Sequence, residues 1–104
     1  MEAGKLRHRI DIQQASESRN DLGEVNESWS SLSERWASIE PLQGRELEHA
    51  QQISEDINFK ITLRHMTGVT PEHRITFNGR TFHILSVINT MEQNKELVLL
   101  CKED

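Results

Sequence analysis

Residues 73–85, HRITFNGRTFHIL, place two short alternating runs on either side of Asn78-Gly79. A two-residue Asn-Gly loop asks for positive φ at both positions, the type I′ hairpin turn. That turn sets Phe77 opposite Arg80, Thr76 opposite Thr81 and Ile75 opposite Phe82. Ile75, Phe77, Phe82 and Ile84 then share one face, so turn chemistry and hydrophobic pattern agree. The same period of two recurs elsewhere. In LRHRIDIQ (residues 6–13), Leu6, His8, Ile10 and Ile12 alternate with Arg7, Arg9, Asp11 and Gln13, the pattern of a half-buried strand. SERWASIEPL predicts a second strand, Trp36 and Ser38 on one side, Ala37 and Ile39 on the other, ended by Pro41. INFKITLR predicts a third, with Ile57, Phe59, Ile61 and Leu63 facing inward. ELVLLCK is apolar on both faces, as a central or covered strand is, and NTMEQNK joins it to the preceding strand as a further hairpin.

Two polar stretches interrupt these strands. QASESRNDLGEVNES, with turn residues Asp21-Leu22-Gly23, reads either as an extended hairpin or as a mobile loop; a mostly ordered hairpin with a flexible tip is preferred. GRELEHAQQISED (residues 44–56) is the helical candidate, with Leu47, Ala50 and Ile53 three residues apart. About three turns of helix are marginal alone, so it must lean on the strands or on another molecule. Five to six antiparallel strands with one apolar face predict an all-β fold. A small barrel, or a sandwich, removes their exposed edges, leaving one short helix and long loops.

Composition narrows the function classes. At 104 residues the chain is expected to be one domain, 1–104. Net charge is -5, which opposes general nucleic-acid binding, since that depends on cations neutralising phosphates. Two Trp, three Phe and no Tyr supply few platforms for base stacking. No run reaches the roughly 18 apolar residues of a membrane span, and MEAGKLRHRI lacks the apolar stretch of a signal peptide. The single cysteine, Cys101, excludes an intrachain disulfide and fits a reducing cytoplasm.

Catalytic chemistry is not expected. The five histidines form no short-spaced ligand pair with one another or with Cys101, as zinc sites usually do. No nucleophile elbow, phosphate loop or paired-carboxylate pattern is present, so no catalytic, cofactor or metal residue is assigned. Cys101 on an apolar strand reads as a small buried hydrophobe. Gly44 as a tight-turn residue and Glu46 near a helix start have structural explanations. Arg45 has none, because nothing at a helix start requires a cation; a contact with a partner is weighed evenly against a plain surface position.

The landmarks, taken in order, resemble one family: the head-tail joining, head-closure or stopper proteins of long-tailed bacteriophages. They are Gly4, Leu6, Arg9 and Ile10; Asp21 and Gly23 before Trp29; Trp36-Ala37; Gly44-Arg45-Glu46 with Ala50; Arg64; Arg74-Ile75; Gly79-Arg80 with Phe82 and Ile84; and Glu103. Phe82 stands where the family often has Tyr. The resemblance implies a small β-barrel with long loops and a structural part of the virion, made in the host bacterial cytoplasm from an active phage or a prophage. It implies a homo-oligomeric ring under the portal and adaptor that closes the DNA exit and docks the tail, with portal, adaptor and tail-completion proteins as partners. The isolated chain is then expected to be a monomer that passes DNA without specific binding. The excursions at residues 14–28 and 41–56, carrying Asp21, Gly23, Arg45 and Glu46, are the expected contact segments. The alternative class is a small SH3- or OB-like binding module for a peptide or nucleic acid.

Overall fold

The computed structural model describes residues 6–19, 21–23 and 25–104; the landmark Gly4 lies outside them. The strands are β1 (His8–Arg19), β2 (Val25–Pro41), β3 (Phe59–Arg64), β4 (Arg74–Phe77), β5 (Arg80–Asn89) and β6 (Glu96–Glu103), with α1 (Gly44–Gln51) between β2 and β3. They close antiparallel in the order β1-β2-β3-β6-β5-β4, with β4 pairing back onto β1. Closure leaves the barrel without an unpaired edge.

The central hairpin has the predicted register: Phe77 opposite Arg80, Thr76 opposite Thr81 and Ile75 opposite Phe82. Its turn residues Asn78 and Gly79 take φ of 49° and 79°, as a type I′ turn requires. Ile10, Ile12, Ile61, Leu63, Ile75, Phe82, Ile84 and Leu99 fill the interior, each at most 1% exposed. Phe59 is half-buried against this cluster and meets the Phe82 ring edge-on at 5.3 Å. The Phe82 ring is wholly enclosed.

β6 lies between β3 and β5, and its two apolar faces have separate partners. Leu97, Leu99 and Cys101 point into the barrel. Leu100 and Val98 point outward and are covered by Leu42, Leu47, Ala50 and Ile57, a second apolar cluster beneath α1. Two expectations are corrected here. The helix ends at Gln51, short of the expected residue 56, so Ile53 leaves the buried stripe and is 59% exposed. Ile57, expected to face inward with Phe59, Ile61 and Leu63, instead takes that place under the helix. Residues 52–56 turn the chain back, which puts Ile57 ahead of the β3 ladder.

The first excursion is an extended hairpin, the reading preferred from the sequence. β1 and β2 continue past the barrel as a two-stranded ribbon, paired from Gln14 with Ser30 to Arg19 with Val25. The register shifts between Ile12 and Gln13, leaving Leu32 as the extra residue on β2. A bulge of this kind bends a strand and increases its twist, and it falls where β4 stops pairing with β1 at Gln13. The molecule is accordingly elongated, 49 × 28 × 27 Å.

Candidate functional site

The anticipated contact residues fall on two separate surfaces. Asp21 and Gly23 lie in the turn of the ribbon, exposed, with Gly23 at φ 81°. Between them Leu22 is 84% exposed. Arg45 and Glu46 lie in the first turn of α1, beyond the opposite end of β2. The fold brings each pair together but keeps the two pairs apart.

The ribbon has hardly any buried surface. Among its described side chains from Gln14 to Ser31 none is buried, and Trp29 alone is half-buried. Its base is held by Arg74 of β4, whose guanidinium lies 4.2 Å from the Trp29 ring centroid and whose Nε donates to Gln13 Oε1 at 2.8 Å. Further out, the Ser16 and Ser28 hydroxyls are 2.9 Å apart across the two strands. Two landmarks far apart in sequence, Trp29 and Arg74, thus meet to pin the ribbon to the barrel.

At α1, Glu46 has a structural task. Lys60 Nζ of β3 donates to Glu46 Oε1 at 3.1 Å, tying the helix to the barrel wall. Gly44, at φ 59° directly after the extended Gln43, turns the chain into the helix. Arg45 is exposed, and its side chain makes no hydrogen bond or ion pair among the described residues. It borders a shallow apolar groove of about 330 Å³ whose floor is Ala50, Leu100 and the exposed Ile53 and Ile88.

A third surface was not anticipated. β2 pairs with β3 only from Ala37 onward, so β2 and the end of β3 part at the barrel mouth. The gap is a cleft of about 540 Å³ lined by Arg35, Trp36, Arg64 and His65, with Leu6 and Arg9 from the start of the chain. Trp36 is 53% exposed, and the Arg9 guanidinium lies 5.6 Å from its ring centroid. Glu34 is the acidic member, 3.8 Å from Arg9. One sign of this site was legible: with Ala37 inside, alternation forces Trp36 outward. The clustering of Arg35 with Arg64 was not, because they come from strands nearly thirty residues apart.

Chemistry at the far end of the barrel is structural. Arg80 clasps Glu103 with both arms, Nε to Oε2 at 2.7 Å and Nη2 to Oε1 at 3.0 Å. The same guanidinium lies over Phe82 and Phe59 at 4.9 and 5.4 Å. The hydrogen bonds from Arg80 hold the Glu103 carboxyl below its usual range. A single hydrogen bond with His83 Nε2, at 2.9 Å, does the same for Asp104. Burial pushes the Cys101 thiol up to about 12, so it is an inert neutral group at physiological pH. His8, on the inner face, packs edge-on against Phe77 at 4.8 Å. Among the described residues no three His, Cys, Asp or Glu side chains gather where a metal ion would sit.

The phage head completion protein family matches residues 1–104, the whole chain. The chain belongs to that family. This head completion protein is similar in structure to protein SF1141 from Shigella flexneri 2a, with a TM-score of 0.75 and 25% identity over 99% of this chain and 96% of that one. It also shares its fold with a chain in the virion of a native gene transfer agent particle, with a TM-score of 0.65 and 19% identity over 95% and 96% of the two chains. No curated protein matches. Membership makes it a structural component of the phage particle, in agreement with the resemblance carried by its landmarks.

Proposed function

We propose that this head completion protein forms a homo-oligomeric ring under the portal and adaptor, where it closes the DNA exit and docks the tail. The observation that carries this reading is the family match over the entire chain. The protein acts by assembly and not by catalysis. It is made in the bacterial cytoplasm, remains monomeric until it meets its ring-shaped partner, and ends in the virion at the head-tail interface. A net charge of -5 suits a channel wall that DNA passes without adhering. Arg45, Glu46 and the neighbouring apolar groove are the docking surface for adaptor or tail-completion protein, and Asp21 and Gly23 present the other contact segment.

The test is Arg45→Glu. Reversing an exposed charge leaves the barrel folded, so the expected phenotype is filled heads that leak DNA or fail to take tails. Heads carrying this variant and joining tails at the normal rate would remove α1 from the docking surface.

One feature favours the second reading, a binding module for nucleic acid: an exposed Trp beside three arginines. Titration with duplex and single-stranded oligonucleotides decides between them. Binding that weakens steeply with salt is the mark of phosphate contact; the ring reading expects none at moderate salt.

A further inference from the structure

We infer that the ribbon of one copy inserts into the cationic cleft of the next copy, so that Asp21 and Leu22 of one chain meet Arg35, Arg64 and Trp36 of its neighbour. The inference rests on the ring reading and specifies the contact that builds the ring. Three arginines against one glutamate make the cleft a concentrated positive site on a chain whose overall charge is -5. The side chains of Arg35 and Arg64 form no hydrogen bond or ion pair among the described residues. Guanidinium groups left in this state call for carboxylates, which they bind in bidentate geometry. The ribbon supplies them: Glu17, Asp21 and Glu27 stand exposed against the single cation Arg19. Its tip also carries Leu22, 84% exposed, the apolar counterpart of Trp36 and Leu6 in the cleft.

A chain cannot satisfy its own cleft with its own ribbon. β2 is continuous from Val25, beside the tip, to Arg35 in the cleft. Ten residues of strand at about 3.3 Å each separate the two by roughly 30 Å. Acidic tip and basic cleft are different patches of one surface. A contact between them is therefore heterologous, the kind that closes into a ring by rotation. Duplex DNA is the less suited occupant. Beyond the cleft the chain is acidic, so a polyanion meets repulsion where a short acidic ribbon does not.

The experiment uses connectors assembled in particles from two variants with one added cysteine each, Leu22→Cys and Glu34→Cys, treated with a short bismaleimide. Both positions are exposed, Glu34→Cys keeps every cation of the cleft, and the buried Cys101 stays unreactive. The expected result is a covalent dimer in connectors containing both variants and none in connectors of either alone. In a charge swap, Arg64→Glu lowers ring recovery about tenfold and Asp21→Lys in the same chain restores it, like charges being costly and opposite ones favourable at a contact. A ring seen by electron microscopy without the mixed dimer overturns the inference and leaves the ring reading standing. Cross-linking of Glu34→Cys to an adaptor or tail protein overturns it likewise, as does duplex binding abolished by Arg35→Glu. Particles lacking any ring of this chain overturn both.

Discussion

The ribbon at residues 14–31 and the helical excursion at residues 42–57 are both long polar departures from the barrel, joined to opposite ends of β2, yet they are ordered by different forces. The ribbon is held by its own backbone ladder from Gln14–Ser30 to Arg19–Val25 and by the Arg74–Trp29 contact at its base. Two-stranded ribbons are marginally stable at best in water. The helical excursion is held by side-chain burial: Leu42, Ala50, Ile57 and Leu100 are each at most 7% exposed, with Glu46–Lys60 as a surface tie. Polarity of sequence does not by itself distinguish a free segment from an anchored one. Leu42, Leu47, Ala50 and Ile57, placed against the outside of the barrel, anchor a short helix that is marginal by propensity alone.

The largest test removes the foundation of both regions. Phe82→Ala empties the center of the core and is expected to cost about 3–5 kcal/mol, read from urea denaturation. Neither excursion should persist at the denaturant concentrations that unfold this variant. Ile57→Ala comes next, at about 2–5 kcal/mol and toward the low end, because its cluster is the smaller of the two. Amide exchange should then quicken in α1 and remain unchanged in the ribbon. Equal quickening in both would mean that the two regions open as one unit.

A smaller effect comes from Trp29→Ala or Arg74→Ala, which should lower global stability by about 1 kcal/mol or less, the scale of an exposed cation–π contact. Exchange in residues 14–19 should nonetheless rise, since the base of the ribbon is released; slow exchange there in the variant would assign the ribbon's order to its ladder alone. In the free wild-type protein both excursions are expected to exchange faster than β3 and β6, the ribbon faster than the helix, and both to slow in the assembled connector.

The smallest effect is electrostatic and depends on pH. Glu103 is held below the usual carboxylate range by its hydrogen bonds from Arg80. A group whose folded pKa is lowered contributes stability above its unfolded value, about 4.3 for Glu. That contribution disappears as pH falls through the folded value. Wild type should therefore lose more stability between pH 7 and pH 3 than Glu103→Gln does. Both partners are partly exposed, so the difference is small and shrinks further in high salt.

Local pattern determined most of the barrel by itself. Period-two alternation located the strands, the Asn78-Gly79 turn fixed a hairpin register to the residue, and the doubly apolar run Leu97–Cys101 announced that something covers β6. These features were legible because each is a property of neighbouring residues: a turn's φ angles, or which side of a pleat a side chain takes. What lies between distant segments depends on how the whole barrel packs. The helix ended at Gln51 and handed its buried position to Ile57, because the space beneath it belongs to Leu100 and Val98 of β6. The hairpin at residues 14–28 was expected; that it runs past the barrel as a two-stranded ribbon follows from β4 ceasing to pair with β1 at Gln13. Arg35, Trp36 and Arg64 became one cleft because β2 and β3 part at Ala37. Each of these outcomes depends on where one strand's pairing stops relative to another's, and ladder length is set by closure of the whole barrel, not by any local run of residues.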